Sequence, residues 1–273
     1  FIGAYSSVSR TWDQISHTYP YYLMVTAAGN EGNFNNVDAT TPGFDKLTGN
    51  KTAKNNLVVA NAQDANVDVN GNLVSVLINS GSSQGPADDL RIKPDITGNG
   101  TGVFSSTATN NTSYSSFSGT SMASPNVMGT LLLVQQHYQN VNQSFMKAAT
   151  LKGLACHTAD DTGLQGPDAT FGWGLLNAKR AAETITNNGI SSWISEEVLP
   201  QNASFSKTVK SINGQSLIAS ITWTDVPGVA NNGILNDPTP ALVNDLDIRI
   251  TQGNQTFYPW RLRSDATLPA IRD

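Results

Sequence analysis

The stretch SFSGTSMASPNVMG, residues 116–129, places a serine where an apolar segment of helix length begins. Gly119 and Thr120 stand directly before this serine, Ser121, and both residue types are common at the start of helices. Pro125 has no N–H group, a loss that a helix tolerates best near its beginning. The stretch therefore predicts a helix that starts close to Ser121, with Thr120 able to cap it.

A serine in this position has part of what a nucleophile needs. The N–H of Ser121 has no partner within the helix, and the helix dipole favours negative charge nearby. Gly119 has no side chain to stop a substrate backbone from passing close by. A nucleophilic serine also needs a base and oxyanion donors, and a lone Gly-x-Ser is more often a capping loop than a catalytic site.

Two further stretches precede the serine and favour a catalytic site over a capping loop. AAGNEGN, residues 27–33, closes an apolar run of strand length, and RIKPDITGNG, residues 91–100, follows SSQGP, residues 82–86. In this order, with the serine stretch last, they resemble the motifs of subtilisin-like serine proteases, the subtilases. TGNG stands where that family usually has Ala-Pro-Gly, a departure that concerns this loop alone. The resemblance runs from about residue 3 to about residue 182.

The resemblance implies a serine endopeptidase that hydrolyses peptide bonds through an acyl-enzyme on Ser121. It also implies that Asn30 donates its side-chain amide to the oxyanion, so Ser121 and Asn30 are the predicted catalytic residues. The implied substrate-binding positions are Ala27, Ala28, Gly29, Gly119 and Thr120.

The catalytic Asp and His of the family have no counterpart motif in this sequence, although in the family order both precede the oxyanion Asn. The histidines are His17, His137 and His157. His137 is 16 residues beyond Ser121 on the same predicted helix, about 24 Å away at a rise of about 1.5 Å per residue, whereas a base must lie within about 3 Å or one water. The other two are expected at or near helix ends. We therefore expect the C-terminal two thirds of a protease, inactive by itself.

The first 190 residues alternate strand-like and helix-like segments, which predicts an α/β fold. Together with the resemblance, this indicates a partial subtilisin-like catalytic domain over residues 1–190, with a parallel sheet in a three-layer arrangement. The predicted strands are 21–28, 55–62 and 72–80, and the predicted helices are 8–17, 120–138, 143–156 and 174–185.

From residue 191 to residue 273 the apolar residues alternate with a period of two. This pattern predicts an all-β, jelly-roll-like sandwich module, similar to the module that follows the catalytic domain in the larger alkaline subtilases. Four strands are few for such a sandwich, so we expect the module to continue past Asp273. The predicted strands are 204–212, 216–226, 241–251 and 255–263.

Calcium is the one cofactor that the sequence suggests, and catalysis of this type requires none. Asp225, Asp245 and Asp247 lie in WTD and NDLD and offer oxygen ligands. The alternative is that they form a solvated strand face or turn.

The composition limits the partners. Sixteen Lys and Arg against 21 Asp and Glu give a net charge of −5, and no basic cluster marks a nucleic-acid face. No segment is long and apolar enough for a membrane span. The expected partners are protein or peptide substrates, and the family resemblance implies a secreted or cell-surface location. The single Cys156 predicts a small buried residue rather than a reactive thiol.

Two other function classes remain as alternatives. The first is a pseudo-protease scaffold whose β module binds a partner. The second is an α/β-hydrolase esterase, which is disfavoured because Ala123 stands where the Gly-x-Ser-x-Gly elbow of that class has its last glycine.

Overall fold

The fold was analysed in a computed structural model that describes residues 2–211, 214–231 and 233–273. Four helices form in this part of the chain, and each lies close to a predicted one. A 3₁₀ turn over Gly49–Thr52 precedes the second strand. The helices are α1 (Ser7–Thr18), α2 (Thr120–Asn142), α3 (Ala148–His157) and α4 (Ala178–Thr186).

A parallel sheet forms the centre of the first 190 residues. Its described strands have the order β1-β2-β5, and Val25 pairs with Leu57 while Val59 pairs with Ile96. The other described strands form four short antiparallel pairs. The strands are β1 (Val25–Ala27), β2 (Leu57–Ala62), β3 (Asn66–Val67), β4 (Leu73–Ser75), β5 (Ile96–Asn99), β6 (Val103–Ser106), β7 (Tyr114–Phe117), β8 (Ile250–Gln252), β9 (Gln255–Phe257), β10 (Trp260–Arg261) and β11 (Ile271–Arg272).

Helix α2 packs against β1, β2, β5 and α4, and this contact contains the main hydrophobic core. The helix can approach the sheet closely because residue 98 is glycine: a Cβ atom there would lie 2.5 Å from Cγ2 of Val127. The best-buried core residues include Leu57, Val59, Ile96, Ala123, Val127, Met146, Ala155 and Ile185. The α/β prediction is confirmed.

The KPD segment ties β5 to β2 beneath this core. The Asp95 carboxylate accepts a hydrogen bond from the N–H of Val58 at 2.7 Å and one from Lys93 Nζ at 2.6 Å, and Lys152 Nζ lies 2.8 Å from its other oxygen. Burial opposes the charge on Asp95, but the two lysines outweigh burial and hold the pKa of Asp95 below its ordinary value. The segment therefore has a structural role in the domain.

The predicted β module is not confirmed. In the described part of the chain, 204–211 and 216–226 form no strand, and 241–251 contributes only the start of β8. β8 and β9 form one antiparallel pair, and β10 and β11 form another. Residues 212 and 213, at the end of one predicted strand and just after it, lie outside the described residues.

A buried ion pair is among the contacts that attach the C-terminal segment to the α/β domain. Lys54 Nζ lies 2.6 Å from Oδ2 of Asp225, and both side chains are almost fully buried. Lys54 Nζ also donates hydrogen bonds to the carbonyl oxygens of Val226 and Ala241. This contact holds Asp225, Val226 and Ala241 against the loop that precedes β2.

Candidate active site

Ser121 is exposed and is the second residue of α2. The helix cap is Gly119, whose carbonyl accepts hydrogen bonds from the N–H groups of Met122 and Ala123. Within the described residues, the N–H of Ser121 makes no hydrogen bond. The predicted helix start is therefore confirmed, while the expectation that Thr120 caps the helix is wrong: Thr120 is the first helical residue.

Thr120 instead holds the side chain of Asn30. Oδ1 of Asn30 accepts one hydrogen bond from the N–H of Thr120 at 3.0 Å and another from its hydroxyl at 3.1 Å. A backbone N–H can only donate, so the amide oxygen faces Thr120 and the Nδ2 group points away from it. The Thr120 hydroxyl also accepts a hydrogen bond from the N–H of Gly29 at 3.1 Å. The side chain of Asn30 is thereby fixed at the start of α2.

Two glycines bring the serine loop down onto the end of β5. The N–H of Gly119 donates to the carbonyl oxygen of Gly100 at 2.8 Å. A Cβ atom on Gly100 would lie 2.5 Å from the carbonyl oxygen of Gly119, so no larger residue fits there. The final glycine of the TGNG sequence is therefore required by this close approach, as Gly98 is by the approach of α2 to the sheet.

A serine that the sequence did not single out supports the loop after β1. Ser83 accepts a hydrogen bond from the N–H of Glu31 at 3.0 Å and donates one to the Glu31 carboxylate at 2.7 Å. Its own N–H donates to the carbonyl of Gly29 at 3.0 Å. Its place in SSQGP was the available signal, but that pattern did not indicate which partner the hydroxyl binds.

The family model described as "Subtilase family" matches residues 3–174. The chain belongs to the subtilase family. An extracellular serine protease of Serratia marcescens is 29% identical over 154 residues, which are 55% of this chain and 12% of that protein. A PII-type proteinase of Lactococcus lactis subsp. cremoris is 44% identical over 75 residues, 27% of this chain and 4% of that protein. The chain thus spans 12% or less of these relatives.

Among solved structures, the protease domain of PatA aligns with a TM-score of 0.48 and 18% identity, over 65% of this chain and 53% of that one. The prenylagaramide maturation protease PagA aligns with a TM-score of 0.47 and 21% identity, over 64% and 53% of the two chains.

His17, His137 and His157 all lie in the described residues of this subtilase chain, and none of them is hydrogen-bonded to Ser121 there. His137 Nε2 is 2.9 Å from the Thr186 hydroxyl, and His157 Nδ1 is 2.8 Å from the Ser220 hydroxyl. Burial, together with the charge of Arg180, lowers the pKa of His157. His17 is exposed in the last turn of α1.

The implied substrate-binding residues occupy three different environments. Ala27 ends β1 and is half-buried, whereas the side chains of Ala28 and Thr120 are fully buried. Gly29 and Gly119 present main chain beside Asn30, and a Cβ atom on Gly119 would lie 3.4 Å from its Oδ1. A substrate contact at these positions stays a prediction.

Cys156 is a partly buried residue of α3 that packs against the main hydrophobic core. Burial, reinforced by the charge of Asp95, raises the pKa of its thiol to about 12. The thiol is therefore not ionised at neutral pH, which agrees with the packing role predicted from the sequence.

The three Asp residues predicted as calcium ligands are not gathered around one point. Both carboxylate oxygens of Asp225 are engaged, one by Lys54 and the N–H of Val243 and the other by Asn244. Asp245 and Asp247 are exposed. In the ranges that the structure describes, no group of three or more His, Cys, Asp and Glu side chains could hold a metal ion. Calcium binding by these residues stays a prediction.

No helix in the described part of the chain is long and apolar enough to cross a membrane.

Proposed function

We propose that this chain carries the nucleophile and the oxyanion donors of a subtilisin-type serine endopeptidase. The observation that supports this most strongly is the orientation of Asn30. Its Oδ1 is held by two hydrogen bonds from Thr120, so Nδ2 faces away from Thr120. Within the described residues neither Nδ2 nor the N–H of Ser121 has a partner, so both could donate to an external oxygen.

In this mechanism the Ser121 Oγ attacks the carbonyl carbon of a peptide bond and loses its proton to a base. The carbonyl oxygen becomes an oxyanion, which accepts hydrogen bonds from Asn30 Nδ2 and the Ser121 N–H. The C–N bond then breaks, the amine leaves with the proton from the base, and an ester to Ser121 remains. Water hydrolyses that ester by the same steps.

None of the three histidines, as the described residues place them, is in a position to act as this base. His137 and His157 are bonded to hydroxyl groups of other elements, and His17 lies at the end of α1. A serine hydroxyl is a weak nucleophile at neutral pH without an adjacent base. We therefore expect the 273-residue chain to be inactive by itself.

Labelling with a fluorophosphonate tests this expectation. The purified chain should show no adduct on Ser121 by mass spectrometry and should not hydrolyse casein. An extended protein, with a subtilase segment that carries the Asp and His placed before residue 1, should react and should cleave peptides. Ser121→Ala should abolish both reactions, whereas Ser116→Ala, an exposed serine of β7, should retain them. Stoichiometric labelling of the 273-residue chain, or an extended protein that retains activity without Ser121, would contradict the proposal.

The substrates follow from the same chemistry: they are proteins or peptides, whose carbonyl group the site attacks. A secreted or cell-surface location is proposed because the Serratia relative is described as extracellular.

For residues 191–273 we propose a β module separate from the catalytic domain of residues 1–190. Its support is the β8–β9 hairpin and several exposed apolar side chains among the described residues before it. Phe205, Val209 and Ile218 are 53%, 48% and 59% exposed. Such residues are buried in a sandwich when additional strands cover them.

A further inference from the structure

Thr101, the residue after the TGNG sequence, lies in the middle of a short chain of side-chain hydrogen bonds. Its hydroxyl is 2.9 Å from Nδ2 of Asn79 and 3.1 Å from Oδ1 of Asn61. Asn61 is 1% exposed and lies in β2, whereas Asn79 lies in the loop after β4. One hydroxyl therefore joins a core strand, that loop and the segment that follows β5.

The direction of these bonds follows from the backbone. Oδ1 of Asn79 accepts a hydrogen bond from the N–H of Gly81 at 3.0 Å, and an N–H group can only donate. The other end of the Asn79 amide, Nδ2, must therefore donate to the Thr101 hydroxyl, which leaves the hydroxyl proton for Oδ1 of Asn61. A valine at position 101 would have nearly the same shape but could make neither bond.

One end of this chain of bonds supports the loop that carries Asn30. Gly81, whose N–H is bonded to Asn79, accepts on its carbonyl a hydrogen bond from the N–H of Gly32 at 2.9 Å. A Cβ atom on Gly32 would lie 2.2 Å from the carbonyl oxygen of Ser80, so the two loops are in close contact. The position of Asn79 therefore affects the main chain two residues after Asn30.

The other end supports the loop that carries Ser121. Thr101 follows Gly100 directly, and the carbonyl of Gly100 accepts the hydrogen bond from the N–H of Gly119. A Cβ atom on Gly100 would also lie 2.7 Å from Oδ1 of Asn61, the atom that the Thr101 hydroxyl binds. Thr101 is thus placed where the serine loop, β2 and the loop after β4 meet.

We propose that Thr101 is a positioning residue, which holds the loop of Asn30 and the loop of Ser121 at a fixed separation. This role rests on the proposed function, in which Asn30 Nδ2 and the Ser121 N–H donate to one oxyanion. The two loops touch directly through Thr120, and the bonds of Thr101 join them a second time from the side of β2. Donors on separate loops stabilise the transition state only if their spacing is kept, and a displacement of about 1 Å can reduce the rate about 100-fold.

Amide hydrogen exchange of the 273-residue chain tests the connection itself, independently of catalysis. Thr101→Val should make the N–H groups of Gly32 and Gly119 exchange about tenfold faster, because both loops lose their shared hydrogen bonds. The N–H of Leu154, a core residue of α3, should exchange as in the unchanged chain. Thr101→Ser keeps the hydroxyl and should restore both rates.

Steady-state kinetics of the extended protein tests the consequence for catalysis, at a temperature at which every variant is folded. Thr101→Val should lower kcat about 10-fold to 100-fold with KM almost unchanged, since the oxyanion exists only in the transition state. Thr101→Ser should retain most of the activity. Thr112→Val is the matched control, because the Thr112 hydroxyl bonds to Asn110 in the exposed turn between β6 and β7.

The proposal is overturned if Thr101→Val leaves the exchange of Gly32 or of Gly119 unchanged, since one hydroxyl would then not connect the two loops. It is also overturned if kcat falls no further than in Thr112→Val, or if KM alone changes. An extended protein without substitutions that forms no acyl-enzyme would instead contradict the proposed function, and the exchange rates would still decide whether Thr101 joins the loops.

Discussion

Thr120 is the residue that links the fold to the chemistry. Its buried hydroxyl donates to Asn30 and accepts from the N–H of Gly29, so a single side chain connects the start of α2 to the end of β1. Ser121 beside it is exposed, and no side-chain hydrogen bond restrains it within the described residues. Adjacent residues therefore have different environments: Thr120 is buried and bonded to Gly29 and Asn30, whereas Ser121 is exposed.

Replacing Thr120 should lower the free energy of unfolding more than replacing Ser121 does. Thr120→Val removes the hydroxyl and leaves the partly buried N–H of Gly29 without an acceptor. We expect a loss of about 1–3 kcal/mol in the free energy of unfolding, measured by urea denaturation. Thr120→Ser should restore most of that loss, and Ser121→Ala should stay within about 0.5 kcal/mol of the unchanged chain. If Thr120→Val leaves the free energy of unfolding unchanged, the hydroxyl does not hold these two elements together.

The position of Ser121 at a helix start could be predicted from the sequence, because helix starts have local signals, whereas the choice of Asn30 rests on the family resemblance. Ser121 and Asn30 lie where their motifs indicated. The role of Thr120 could not be predicted, because its partner is 90 residues away in the sequence. Ser83 was missed for the same reason, since its hydroxyl binds a residue 52 positions away.

At the scale of elements, α2 divides into a buried face and an exposed face. Leu131 is 2% exposed, whereas Leu132 next to it is 66% exposed. Pro125 lies inside the helix, in its second turn, and the helix continues to Asn142 nevertheless. The contact of the buried face with the sheet is what stabilises the helix here.

This pair of leucines gives a matched test of the packing. Leu131→Ala should lower the free energy of unfolding by about 2–5 kcal/mol, because it removes buried methyl groups and leaves a cavity. Leu132→Ala should change it by no more than about 0.5 kcal/mol. Urea denaturation of both variants measures the difference. Equal losses would mean that the exposed face of α2 is covered by another surface in solution.

The predicted strands formed where neighbouring helices and strands pack against them. The predictions failed for segments that lack such neighbours among the described residues. The core strand over 55–62 formed as β2 because α2 and two neighbouring strands cover it. The segment 21–28 formed a strand only over Val25–Ala27, since Tyr22 is in a turn with Tyr19. The alternating segments 204–211 and 216–226 have no ladder partner among the described residues, and alternation alone does not make a strand.

At the scale of the whole molecule, the buried pair of Lys54 and Asp225 holds the C-terminal segment to the α/β domain. Asn55 strengthens the contact, because its side chain exchanges hydrogen bonds with the backbone of Asp225. Hydrogen bonds from Lys54 and from the N–H groups of Val243 and Asn244 outweigh the opposing effect of burial and lower the pKa of Asp225.

Breaking this pair should destabilise the chain strongly. Lys54→Met leaves the Asp225 carboxylate buried without its cation, at a cost of about 3–5 kcal/mol. Adding Asp225→Asn should recover part of that loss, because the uncompensated charge is removed. Lys51→Met is the control, since Lys51 forms only an exposed hydrogen bond with Thr48. If Lys54→Met has no larger effect than the control in urea denaturation, the ion pair does not hold the segment in place.

The oxyanion role of Asn30 is tested most directly by steady-state kinetics of the extended protein that contains the Asp and His. Asn30→Leu has nearly the same size but cannot donate a hydrogen bond. The oxygen that it would bind gains its charge only in the transition state, so the loss should affect turnover and not substrate binding. Asn33→Leu is the matched control, because Asn33 is exposed in the same AAGNEGN segment.

The measurement is kcat and KM for one peptide with these two variants and the unchanged protein. We expect Asn30→Leu to lower kcat by about 10²–10³, the usual loss for one oxyanion donor, with KM almost unchanged. Asn33→Leu should leave both constants as they are. A change in KM alone, or an Asn30→Leu variant as active as the control, would contradict the assignment of Ser121 and Asn30 as a protease site.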